Sequence, residues 1–103
     1  MENYDIQQCV DRGLATFGSE SAQKLYWIML SKFNMRSDDI ISKPAEFAKA
    51  LYEVFGESGG RSIERAIIKE IKVTFGLPLN DCRDLVNAIY NARKQLAAVE
   101  FVQ

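Results

Sequence analysis

Three times in this chain a phenylalanine is followed by glycine, at Phe17-Gly18, Phe55-Gly56 and Phe75-Gly76, and each pair closes a stretch of helical periodicity. Glycine reaches the left-handed backbone that stops a helix, while the phenylalanine before it can pack the last turn onto a neighbour. Punctuation of this kind limits the chain to short helices packed side by side. It describes architecture and exposes no chemistry.

Between the marks, apolar residues recur every three or four positions. A first helix is predicted from near Asn3, with Ile6, Val10, Leu14 and Phe17 on one stripe. Ser19 or Ser21 is expected to cap a second helix, Glu20 suits its dipole, and it runs to about Asn34. Its main face collects Ala22, Leu25, Tyr26, Met29, Leu30 and Phe33, and Trp27 and Ile28 fall outside that arc. A helix apolar on more than one side is either the centre of the fold or half of an interface.

Residues 35–43 read as a structured connection. Pro44 then opens a third helix, with Phe47, Leu51, Val54 and Phe55 buried before Gly56, and Glu57 to Gly60 serve as a connector. A fourth helix over about 61–75 buries Ile63, Ile67, Ile71 and Phe75, with Ile68 widening the stripe. The last begins near Asn80 or Asp81 and turns Leu85, Val86, Ile89, Tyr90, Leu96 and Ala97 to the core. Superposing Gly18 on Gly56 aligns Leu25 with Ile63, Met29 with Ile67 and Phe33 with Ile71, a register that any two amphipathic helices share. No segment alternates apolar and polar residues long enough to form a strand. The predicted class is all-α, a single helical domain over residues 1–103 in a compact bundle of about five helices, with an extra short helical turn near residues 37–42.

Composition narrows the function classes. At 103 residues and 48% hydrophobic, the chain has material for one core. Its formal charge of −1 supplies no global field for nucleic acid, although nine acids face six bases up to Glu57 and seven bases face five acids after it. Histidine is absent, which removes the Ser-His and Cys-His arrangements and every histidine zinc site. Two cysteines cannot supply a four-thiolate zinc site either. Cys9 and Cys82 read as buried thiols; a disulfide is the lesser reading and gains weight for a hyperthermophile source. No apolar run approaches the roughly 18 residues of a membrane span, and the start lacks the pattern of a secretory signal, so a cytoplasmic protein without membrane contact is expected.

The run KPAEFAKALYEVFGESGGRSIERAIIKEI from Lys43, preceded by FGSESAQKLYWIMLSKF from Phe17, resembles the small archaeal output-domain family named for Nitrososphaera signalling proteins. The resemblance spans roughly residues 14–76. It rests on Phe17-Gly18-Ser19, Tyr26-Trp27, Pro44 with Phe47, and Phe55-Gly56 leading to Ile63-Glu64 and Ile67. It implies a small helical module, alone or attached to archaeal regulatory proteins, with no catalytic residues to carry over.

Two surfaces stand out. Arg61, Arg65, Lys69 and Lys72 share an arc of about 80° opposite the isoleucine stripe, and Ser58, Gly59 and Gly60 before them would let an anion approach. A solvated helix face is the plainer account, with Glu64 and Glu70 near enough to dilute the potential. Nucleic acid requires Arg83, Arg93 or Lys94 to join the stripe in space. Trp27 and Ile28 form the second candidate, as anchors for a partner helix or a homodimer. Asp38-Asp39 and Asp81 with Asp84 do not follow the calcium-loop pattern, and the latter pair suits a helix start. The expected protein is an uncharacterised interaction or regulatory-output module, not an enzyme, with no cofactor and no metal. Its partner is a protein or a second copy at Trp27 and Ile28. The alternative is nucleic acid on the fourth helix.

Overall fold

A computed structural model describes residues 2–36, 39–78, 80 and 82–102, with side chains placed from Asp5 to Leu96. Among these residues the chain forms four helices and no strand: α1 (Glu2–Ala15), α2 (Ser19–Phe33), α3 (Pro44–Phe75) and α4 (Leu85–Val102). The all-α class holds. The helix count is one below the expected five, because the third and fourth predicted helices run on as the single element α3. Glu57 to Gly60, expected as a connector, are helical, and the break is confined to Gly56, at φ 76° and ψ 176°.

All three Phe-Gly glycines have positive φ, yet each does a different job. Gly76 takes the left-handed cap at φ 62° and ψ 36°, and Gly18 precedes α2 at φ 99° with extended ψ. The serines expected to cap α2 do not do so; the Ser21 hydroxyl instead donates back to the Phe17 carbonyl at 2.9 Å. At the other end of α2 the stop is Asn34, held left-handed at φ 51°, with the Met35 N–H on the Met29 carbonyl at 2.9 Å. That bond is one residue longer than the six-to-one Schellman closure, which is found instead past Gly76, where the Leu77 N–H reaches the Lys72 carbonyl at 3.1 Å.

α3 is the central element and touches each of the other helices, a place the sequence left open for α2. Its second arm buries Ile63, Ile67 and Ile71, and its first buries Phe47, Ala50 and Leu51. α1 lies against the second arm at very short range. Gly13 permits this, since a Cβ there would stand 2.6 Å from Ile67 Cγ1 and 2.9 Å from Ile67 Cα. Arg12 spans the same contact, with Nε donating to Glu70 at 2.9 Å and Nη2 to Thr74 Oγ1 at 3.1 Å. Cys9 adds to the predicted α1 stripe, whereas Phe17, expected in it, lies past the helix end and is exposed.

In the connection before α3, Ile40 and Ile41 are buried, and Lys43 N–H reaches the Asp39 carbonyl at 2.8 Å, closing one helical turn. Ser37 and Asp38 lie outside the described residues, and so do Leu79 and Asp81. α4 starts at Leu85, later than expected, because its cap is Asp84, whose Oδ1 accepts the Asn87 N–H at 2.8 Å. Glu64 ties this start to α3: it accepts the Leu85 N–H at 2.9 Å and the Tyr52 hydroxyl. Leu85, Ala88, Ile89 and Ala92 are buried in α4, while Val86 and Tyr90, predicted inside, are exposed. The side chain of Ala97 lies outside the described set. The buried side chains described form one apolar cluster fed by all four helices, and the radius of gyration of 13.0 Å is that of a folded chain of this length.

Tyr26 clasps α2 to α1. Its hydroxyl donates to Asp11 Oδ1 at 2.6 Å and accepts from Gln7 Nε2 at 3.1 Å. Burial, then the bond to Asp11, push its phenol well above the usual tyrosine range. Burial also raises the Cys9 thiol. A raised folded-state pKa favours the protonated group, so the contribution is whole below the unfolded value, about 10 for tyrosine, and is lost as pH climbs beyond it. Urea midpoints taken from pH 8 to pH 11 should therefore fall with pH, and fall less steeply in Tyr26→Phe. Parallel profiles for the two proteins would show that Tyr26 ionises freely.

Candidate interaction surfaces

On α2 the buried line is Leu25 and Met29, and the rest of the helix fans out from it at about 100° per residue. Ile28 falls on one flank and is half-buried. Trp27 falls on the opposite side and is 67% exposed, with Leu30, one turn further, 54% exposed. Leu30 was expected in the core. The apolar pair that water sees is thus Trp27 with Leu30, and Ile28 points about 100° away from the indole. The signal was present: Leu30 lies about 140° from Leu25, outside any stripe centred between Leu25 and Met29.

The second arm of α3 carries the predicted cations. Arg61, Arg65 and Lys69 are exposed and Lys72 is half-buried. Arg61 Nη2 pairs with Glu57 Oε1 at 3.5 Å, one turn back. Glu57, Ser58, Arg61, Ser62 and Arg65 line a shallow hollow of about 410 Å³. Glu64 and Glu70, expected to dilute the stripe, are engaged elsewhere, by Tyr52 with Leu85 and by Arg12. Among the described residues neither Arg65 nor Lys69 is held in an ion pair. Arg83 and Arg93 do not line this hollow; both border another one, at the start of α4.

Among the described residues no three carboxylates or thiols converge on a metal-sized site. Asp39 Oδ2 accepts the Arg36 N–H at 3.0 Å, and Asp84 caps α4, so each has a local structural duty. Asp38 and Asp81, the other members of those pairs, fall outside the described residues. Cys9 and Cys82 are both buried and are not joined in a disulfide. Among the described residues no helix is long and apolar enough to cross a membrane.

The class this structure defines is an all-α bundle with an exposed indole on one helix and a basic face on another. No family model matches the chain, and neither a curated protein nor a solved structure matches it.

Proposed function

We propose that the chain is an interaction or regulatory-output module that works by packing a helical surface against a protein partner, which includes a second copy of itself. The exposure of Trp27 carries this reading. The fold buries isoleucine, leucine, methionine and phenylalanine side chains in its core yet leaves its single indole in water, beside Leu30. Aromatics of this size supply a disproportionate share of interface energy when a partner covers them. Lys24, three positions before Trp27, and Glu20, one turn before that, give the rim polar character. The setting we propose, a cytoplasmic regulator of archaeal type, rests on the resemblance over residues 14–76.

Nucleic-acid binding by Arg61, Arg65, Lys69 and Lys72 is the second reading, favoured by Arg65 and Lys69 having no ion pair among the described residues. The separation of Arg83 and Arg93 into another hollow leaves that face few cations, and the net charge opposes it.

Light scattering over a concentration series tests the leading reading. Self-association that weakens about tenfold or more in Trp27→Ala, with an unchanged thermal midpoint, is the expected result. Unfolding of Trp27→Ala would assign the indole to the core and end the proposal. A strict monomer moves the same assay to a foreign protein partner, and binding to single-stranded RNA abolished by Arg65→Glu would favour the second reading.

A further inference from the structure

α4 carries another surface, independent of the α2 face. Val86 and Tyr90, one turn apart, are 37% and 57% exposed, beside the fully buried Leu85 and Ile89. With Ile41 and Pro44 from the segment that enters α3 they line a groove of about 360 Å³, bordered by Arg83 and Arg93. That volume lies within the ~300–1,000 Å³ of sites that take ligands. Arg93 Nη1 donates to the Ile41 carbonyl at 3.4 Å, holding the two walls together. Lys94 sits over the Tyr90 ring at 5.7 Å from its centroid, a third cation beside the groove.

Among the described residues lining the groove the one acid is Asp84, whose carboxylate is engaged by the Asn87 N–H at 2.8 Å. The Arg83 guanidinium has no partner among the described residues; the residue's backbone N–H, by contrast, goes to Asn87 Oδ1 at 3.1 Å. Two of the first three amides of α4 are also taken, Leu85 by Glu64 and Asn87 by Asp84, so the guanidinium is the main attraction for an anion. Half of the lining is apolar and its uncompensated charge is positive.

We propose that this groove binds an acidic peptide segment of a partner protein, with a bulky apolar side chain resting on Val86 and Tyr90 and a neighbouring carboxylate pairing with Arg83. Charge complementarity selects the occupant: a guanidinium fork matches a carboxylate in two parallel hydrogen bonds, and the apolar wall rewards a side chain that nucleic acid does not possess. A nucleic acid would use the cations and leave Ile41, Pro44 and Val86 uncovered.

Fluorescence anisotropy with a labelled peptide, Asp-Glu-Phe-Asp-Glu-Leu, tests this beside its amide counterpart, Asn-Gln-Phe-Asn-Gln-Leu, and a labelled oligouridylate. The acidic peptide should bind the full chain, and the amide peptide should bind at least about tenfold more weakly. Arg83→Glu and Tyr90→Ala, both on exposed side chains, should each weaken the acidic peptide by about tenfold or more, while Arg65→Glu leaves it unchanged. Circular dichroism establishes that each variant is folded. Failure of the acidic peptide to bind, equal binding of the amide peptide, or indifference of the folded variants would overturn the proposal. Binding of the oligouridylate in its place, lost in Arg83→Glu, would overturn it in favour of a nucleic acid.

Discussion

Gly13→Ala is expected to destabilise the protein by about 2 kcal/mol, read as a lower urea midpoint with an unchanged slope. The added methyl would sit 2.6 Å from Ile67 Cγ1 and 2.9 Å from both Ile67 Cα and N. A rotamer change can move the first atom and leaves the other two in place, so α1 must lift away from α3. Lifting it exposes part of Ile6, Val10 and Leu14, which are fully buried, and strains the Arg12 bonds to Glu70 and Thr74. Alanine gains about 1 kcal/mol over glycine in helix propensity, and overpacking of a tight core costs about 1–3 kcal/mol or more. Contact with backbone atoms puts this site at the upper end, so the loss wins. A gain in stability of about 1 kcal/mol, the propensity term alone, would show that the helices do not approach this closely.

Gly56→Ala should cost a similar amount, about 2 kcal/mol, for a different reason. Beyond its own stretch of backbone, nothing lies within 4 Å of the position its Cβ would take, so space is free. The backbone is the obstacle: φ 76° with ψ 176° belongs to a region that only glycine enters freely. Alanine favours straightening the break, but a straight α3 of 32 residues would measure about 48 Å, against a longest molecular dimension of 39 Å. The core on both arms would have to come apart. Gly60 guards the same bend, since a Cβ there would fall 2.8 Å from Tyr52 Cδ1. D-alanine at position 56, made by chemical synthesis, accepts positive φ and should restore the midpoint. A straightened variant of undiminished stability, seen as a radius of gyration well above 13.0 Å, would contradict the argument.

How much was legible before the fold depended on whether a residue's role was local. The helical periodicity, the positive-φ glycines, Pro44 at a helix start and Asp84 at another all follow from interactions within a few residues. Glu57 to Gly60 misled because two glycines look like a loop, whereas Gly60 is there for the close pass of Tyr52. Val86 and Tyr90 extend the apolar arc of Leu85 and Ile89, yet the helix turns Ala88 and Ala92 inward, which lets α4 approach closely. The alanines were the available signal. Trp27 was legible as an outlier; its companion proved to be Leu30 and not Ile28.

The amino-acid sequence by itself determined the helical class, the main buried stripes and the absence of histidine chemistry, because period, backbone preference and side-chain inventory are properties of neighbouring residues. Only the tertiary structure decided that α3 is central, that Glu64 is bonded by Tyr52 and Leu85 and Glu70 by Arg12, and that Arg83 and Arg93 meet Ile41 and Pro44 beside α4. Those outcomes depend on which helix covers which face, a choice settled by close packing among residues far apart in the chain.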